Sequence, residues 1–207
     1  MNVARHLLIA TSSEGKRNEL RKLLSGLPLT LLDLSDLPAM EPIAETGDTF
    51  VENASLKAAG YATQTGLLTL ADDSGLEVDA LGGAPGVRSA RYAGQHVSDD
   101  ERIEALLAAL AFVNESKRCA RFVSAVAIAD SNREILNVSM GRCEGRIALA
   151  PRGAGGFGYD SVFIPNGYDL TFAELEPQIK NQISHRAIAL SGARQYLQHL
   201  TGVSGAG

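Results

Sequence analysis

Two features of the chain predict a mixed α/β fold. Strand-like and helix-like segments alternate from the N-terminus, and strand-like segments then cluster in the middle. That pattern fits an α/β or α+β fold with a mixed sheet. A third feature sets the scale. The chain has 207 residues, 45% of them apolar and 21% charged, enough to build one packed domain and too apolar for disorder.

The elements follow in order. "HLLIAT", residues 6–11, reads as a first strand. "GKRNELRKLLSG", 15–26, reads as a helix with Leu20, Leu23 and Leu24 on one face and Gly26 as its stop. "LTLLDL" is a second strand. "DTFVENASLKAAGYATQTG" places Phe50, Ala54, Ala58 and Tyr61 at helical spacing, with Gly66 after its end. Leu67 to Ala71 read as a buried strand that Asp72 and Asp73 stop, and "LEVDAL" alternates as another strand. Ser98 opens "SDDERIEALLAAL", where Ser98 and Glu101 form a capping box and acidic residues crowd the first turn. "ARFVSAVAIAD" and "EILNVSMGRCEGRIAL" read as two long strands joined by "SNRE". "YDSVFIPNGY" is a strand ending in a turn. "ISHRAIALSGARQYLQHL" is one final helix with Ile183, Ala187, Leu190 and Leu197 on a stripe. One domain over residues 1–200 is expected, with 201–207 as a flexible tail.

Charge and composition exclude several classes. A net charge of -5 disfavours nonspecific nucleic-acid binding, which needs a broad basic face. No stretch is long enough to span a bilayer, and the run Leu7 to Ala10 is too short for a signal peptide. A cytoplasmic protein with Cys119 and Cys143 as free thiols is expected. No Cys/His cluster has zinc spacing.

Polar residues gather in the connections. "TSSEGKR", 11–17, resembles half of a P-loop. A Walker A motif needs Gly at position 10 and Ser or Thr after the lysine, where this chain has Ala10 and Arg17. Backbone N–H groups at a helix start, with hydroxyls and Lys16, still suit a phosphate; a simple N-cap is the other reading. "AETGDTFVEN" carries Glu45, Glu52 and Asn53 into a helix start, where carboxylates also serve the helix dipole. "ADDSG" puts Asp72 and Asp73 at a strand end. Carboxylates are costly to bury unless paired or bound to metal, and two together suit Mg²⁺; a plain Asp turn is the alternative. "RGAGGFGYD" satisfies G-x-G-x-x-G, but a strand follows it rather than a helix, so the dinucleotide reading fails. Phe157 there could stack on a planar base or fill the core. "KNQISHR" brings Lys180, Ser184, His185 and Arg186 together as donors.

With those motifs in place the sequence resembles the noncanonical purine nucleoside triphosphate pyrophosphatases, also called inosine triphosphate pyrophosphatases. The likeness runs from Leu8 to about Leu200 and rests on "ATSSEGK", "ETGDTFVENA", "ADDSGLEVDALGGAPGVRSARYAG", "GGFGYD" and "ISHR" in that order. It implies a mixed α/β fold with an elongated mixed sheet and flanking helices, two lobes around a central substrate cleft, a homodimer, and Mg²⁺-dependent hydrolysis of ITP, dITP and XTP to the monophosphate and pyrophosphate. It also implies roles. Asp73 is proton acceptor and metal ligand, with Glu45 and Asp72 as further metal carboxylates. Thr11, Ser12, Ser13, Glu14, Gly15 and Lys16 cradle phosphates, Lys16 taking part in catalysis and Lys180 assisting. Phe157 stacks on the base, Asp160, His185 and Arg186 line its edge, and Ser74, Gly158 and Tyr159 belong to the substrate-binding set. Arg88 and Arg91 match the motif without an assigned role. One departure stands out. Members usually carry T-G-N-x-x-K in the first loop, and Ser13 here replaces the amide, so altered affinity is expected rather than lost activity. The rival readings are a pyrophosphatase for another modified nucleotide and a nucleotide-binding protein without catalysis.

Overall fold

In the computed structural model, which describes residues 5–202, the first three strands are parallel. Strand β1 (Arg5–Ile9) pairs on one side with β2 (Leu29–Asp33), Leu7 facing Leu31, and on the other with β3 (Leu68–Val78), Leu7 facing Leu68. Parallel neighbours need crossovers. Helices α1 (Glu14–Leu23) and α2 (Phe50–Thr65) lie in these two connections. The remaining strands are β4 (Cys119–Ala129), β5 (Ile135–Ile147) and a short β6 (Phe163–Pro165), antiparallel to β5. The sheet order is β2-β1-β3-β4-β5-β6, a mixed sheet as expected. The turn between β4 and β5 is built on Asp130, whose Oδ1 accepts from the N–H groups of Asn132 and Glu134.

The chain divides into two compact units. Among the described residues the first comprises 5–73, 124–141 and 186–202. Its core joins Leu7, Ile9 and Leu70 of the parallel strands to Leu20 and Leu24 from the first helical segment. It also takes Ala189, Leu190, Ala193 and Leu197 of α5 (His185–Leu200), whose spacing of three and four residues keeps them on one stripe. Each leucine fully buried there contributes about 1.5–3 kcal/mol over its exposed state. The second unit comprises 74–123 and 142–185. Here Ile103, Leu106 and Leu110, from the segment of α3 (Asp99–Ala109), pack on an aromatic cluster. Phe122 meets Phe163 edge-on at 4.7 Å between centroids and Phe172 at 5.9 Å.

Three expectations need correction. Asp72 and Asp73 do not stop a strand: β3 runs through them without interruption to Val78, and "DAL" is a turn of 3₁₀ helix instead of strand. The carboxylates stay extended because cations from other elements meet them, as described below. The final helix begins at His185, two residues later than expected, and a separate short helix precedes it. Pro177–Ile183 forms α4, and Ser184 adopts an extended conformation (ψ 152°) that separates it from α5. The strand in "YDSVFIPNGY" shrinks to Phe163–Pro165, with Tyr159 to Ser161 in turns. Of the expected tail, 203–207 lies outside the described residues. Cys119 and Cys143 are both free thiols. Among the described residues no helix is long and apolar enough to cross a membrane.

Candidate active site

The first unit gathers three cations on two neighbouring carboxylates. Asp72 and Asp73 are consecutive in β3, so their side chains leave opposite faces of the strand. Asp72 is fully buried. Its Oδ2 lies 3.1 Å from Lys16 Nζ and accepts from Arg186 Nε at 3.4 Å. Burial works to raise the Asp72 carboxyl, but Lys16, Arg186 and Lys57 overcome it and hold the group well below the ordinary carboxylate range. Arg186 in turn pairs through Nη1 with Glu19. Glu19 is one helical turn beyond Lys16 on α1, so the helix presents an acid and a base to the same network.

Asp73 is in a different balance. Its Oδ1 accepts from Lys57 Nζ at 3.2 Å, and its Oδ2 is buried without a hydrogen-bond partner. Burial is the largest influence and raises the carboxyl above its usual value, against the opposing pull of Lys57 and Lys16. The same ammonium donates to Glu45 Oε1 at 2.6 Å. Burial lowers the Lys57 ammonium, yet Asp73, Asp72 and Glu45 together raise it above normal. Burial dominates at Lys16 and lowers it.

Helix α2 holds the Glu45 segment in place. The buried Asn53 side chain accepts from Gly47 N at 2.8 Å and donates to Gly47 O at 3.3 Å. Gln64 exchanges two hydrogen bonds of 3.0 Å with the Glu41 backbone. Gly60 lets Ile43 lie against the helix, because a Cβ there would come within 2.5 Å of Ile43 Cδ1. The segment is thus tied to one helix face at three levels, and Glu45 reaches Lys57 from it.

The phosphate-loop candidates start α1. Ser13 is its N-cap: the Ser13 hydroxyl accepts from Lys16 N at 3.5 Å, and Thr11 Oγ1 accepts from Ser13 N at 3.3 Å. Ser12 and Glu14 are exposed, Gly15 and Thr11 half-buried.

The other expected residues sit in the second unit. Asp160 is buried, and its Oδ2 accepts from Lys180 Nζ at 2.6 Å and from Phe157 N at 2.8 Å. Lys180 is buried too, with its Nζ 5.0 Å from the centroid of the Phe157 ring, a cation–π distance. Phe157 is half-buried. Gly158 follows it at φ +59°, and Tyr159 turns into the core, where its hydroxyl donates to Ser89 O at 3.0 Å. His185 is buried with its ring stacked on Phe122 at 4.6 Å. Ser74 is half-buried in β3. Arg88 and Arg91 are exposed on a 3₁₀ segment, Gly86–Arg91.

Two members of the carboxylate cluster escape a reading of motifs. Lys57 falls on the buried stripe of α2, one turn after Asn53, where a lysine has no place unless it is paired; that position was the available signal. Glu19 has the weaker signal of its spacing from Lys16.

The donors suit a hard divalent ion. Asp73 offers a buried oxygen with no hydrogen bond, and Glu45 converges with it on one cation, Lys57. Among the described residues no cluster of three or more His, Cys, Asp or Glu forms a complete metal cage. Mg²⁺ does not require one, because it usually keeps water and takes substrate phosphates as ligands.

Comparison with known proteins agrees with these motifs. A model of the Ham1 family matches residues 7–196. A dITP/XTP pyrophosphatase of Oceanobacillus iheyensis is 44% identical over 192 residues, which cover 92% of this chain and 97% of that protein. The structure of a HAM1 protein from Coxiella burnetii superposes with a TM-score of 0.83 at 43% identity, covering 94% of this chain and 99% of its own. A nucleoside-triphosphatase / dITP/XTP pyrophosphatase from Mycobacterium abscessus gives a TM-score of 0.73 at 44% identity, covering 91% and 98%.

Proposed function

Because this chain belongs to the Ham1 family, we propose that it hydrolyses noncanonical purine nucleoside triphosphates, ITP, dITP and XTP, to the monophosphate and pyrophosphate. One observation carries the reading: two carboxylates adjacent in β3 are shifted in opposite directions, Asp72, despite burial, lowered by Lys16 and Arg186, and Asp73 raised by burial with one buried oxygen unpaired. Pairs of titratable groups driven apart in this way mark acid–base chemistry.

In this reading the Asp73 carboxylate takes a proton from the attacking water, and Lys57 holds that carboxylate in place. Lys16, seated by Asp72, and the N–H groups at the start of α1 bind phosphate oxygens. Mg²⁺, held by Asp73 and Glu45, would supply positive charge against the triphosphate. Asp72 serves this site by anchoring the cations Lys16 and Arg186, which suits its engagement better than direct metal ligation. Phe157 stacks on the base, and Asp160, His185 and Arg186 serve its edge. The working protein is a homodimer in the cytoplasm.

The test is a substrate panel. Purified protein with ITP, ATP or a modified dUTP in Mg²⁺ is assayed for pyrophosphate. Fast release from ITP alone supports the reading. Preference for the pyrimidine points to a different pyrophosphatase, and binding of ITP without turnover to a non-catalytic protein. Asp73→Asn should lose about 10²–10⁴-fold in kcat while remaining folded.

A further inference from the structure

We propose that Asp99 is a positioning residue that fixes the loop bearing Phe157, and through it the affinity for the purine base. The proposal rests on the stacking role given to Phe157 above. The loop is poor in intrinsic order. Gly153, Gly155, Gly156 and Gly158 lie within six residues, and Gly153, Gly156 and Gly158 have φ of +80°, +75° and +59°. A chain this rich in glycine holds one shape only if its backbone groups are tied down.

Two carboxylates from different elements do so at consecutive amides. Phe157 N donates to Asp160 Oδ2 at 2.8 Å, and Gly158 N donates to Asp99 Oδ2 at 2.7 Å. The amides on each side of the Phe157 α-carbon are therefore both held by charged acceptors, which are about twice as strong as neutral ones. Gly156 permits the first contact, since a Cβ there would fall 2.1 Å from Asp160 Oδ2. Asp160 belongs to the loop's own motif. Asp99 does not: it is the first residue of α3, brought to the loop by the fold.

Asp99 is itself held in place. Its other oxygen, Oδ1, pairs with Arg102 one turn along the helix, and Arg102 Nη2 donates to Val97 O at 2.7 Å. A helix start also favours a carboxylate. Farther along, Gly155 N donates to Ala173 O at 3.1 Å, and the Tyr159 hydroxyl anchors the exit of the loop on Ser89. Asp99 thus reaches, from outside the loop and its motif, the amide next to the aromatic ring's own residue.

Three variants separate positioning from a general effect on α3. Asp99→Ala removes the acceptor, Asp99→Asn keeps an acceptor oxygen, and Asp100→Ala removes a like charge from the same helical turn. Asp99→Ala should raise KM for ITP about tenfold and leave kcat within about twofold. Asp99→Asn should recover most of that loss, and Asp100→Ala should match wild type. Hydrogen–deuterium exchange over 152–160 should accelerate in Asp99→Ala alone. Equal KM values for Asp99→Ala and Asp100→Ala, or unchanged exchange in the loop, overturns the proposal. A wild-type protein inactive on ITP sinks the earlier functional reading instead, and Asp99 is then judged by loop exchange alone.

Discussion

Removing Lys57 should unbalance the candidate site from its centre. Its Nζ contacts Glu45 at 2.6 Å and Asp73 at 3.2 Å, with side-chain exposures of 12% for Lys57, 30% for Glu45 and 8% for Asp73. Lys57→Met keeps the stem and deletes the charge, leaving two carboxylates facing each other. Breaking a buried pair by removing one partner costs about 3–5 kcal/mol, and the partial exposure of Glu45 places this case near 3. For a chain of this size that lowers Tm by ~6–12 °C. Asp73→Asn should cost much less, because it removes a carboxylate that burial already disfavours. Once Asp73 is neutral, deleting Lys57 leaves less carboxylate repulsion behind, so the double variant should be more stable than the sum of the single effects. The coupling should fall at about 1–3 kcal/mol. Urea denaturation of the four proteins in EDTA measures it. Strictly additive effects would mean that Lys57 does not act through Asp73, and the electrostatic account of the site would be wrong.

The remaining predictions concern phosphate, base and core. Lys16→Ala should weaken ITP binding more than IMP binding in calorimetry, because it removes a point charge from the helix start; equal losses would place Lys16 outside the phosphate site. Arg186→Ala should lower kcat/KM for ITP far more than for ATP, since a guanidinium only donates and a six-keto oxygen accepts where a six-amino group does not. An equal loss on both would assign Arg186 to its Asp72 and Glu19 pairs alone. Tyr159 supplies a pH dependence. Burial raises its phenol above the ordinary tyrosine value of about 10, so its stabilising effect is complete below that value and is lost as pH climbs toward the higher folded pKa. Tyr159→Phe, which also loses the bond to Ser89, should be less stable than wild type by about 1 kcal/mol at pH ~8. That gap should shrink above pH ~10, read from urea midpoints; a constant gap would contradict it.

Local signals were legible where they act over one turn. The capping box Ser98–Glu101 is formed, and Gly66 ends α2 in the left-handed conformation. Long-range electrostatics was not legible. Asp72 and Asp73 read as a strand end because two adjacent charges rarely continue into a core. They continue because Lys16, Lys57 and Arg186 arrive from three separate helices. The break at Ser184 has no Gly or Pro to announce it, so the last helix reads as starting at Ile183, two residues early. The motif residues themselves were all visible, but their partners Lys57, Glu19 and Asp99 were not, since each acquires its role from a contact made far along the chain.

The central claim is that water attacks the α-phosphorus of a noncanonical purine triphosphate and expels pyrophosphate. Hydrolysis of ITP in heavy-oxygen water, followed by phosphorus NMR, tests it most directly. The account predicts IMP and pyrophosphate as the only products, with the heavy oxygen on IMP and none on pyrophosphate. Release of orthophosphate, or heavy oxygen on the pyrophosphate, would contradict it.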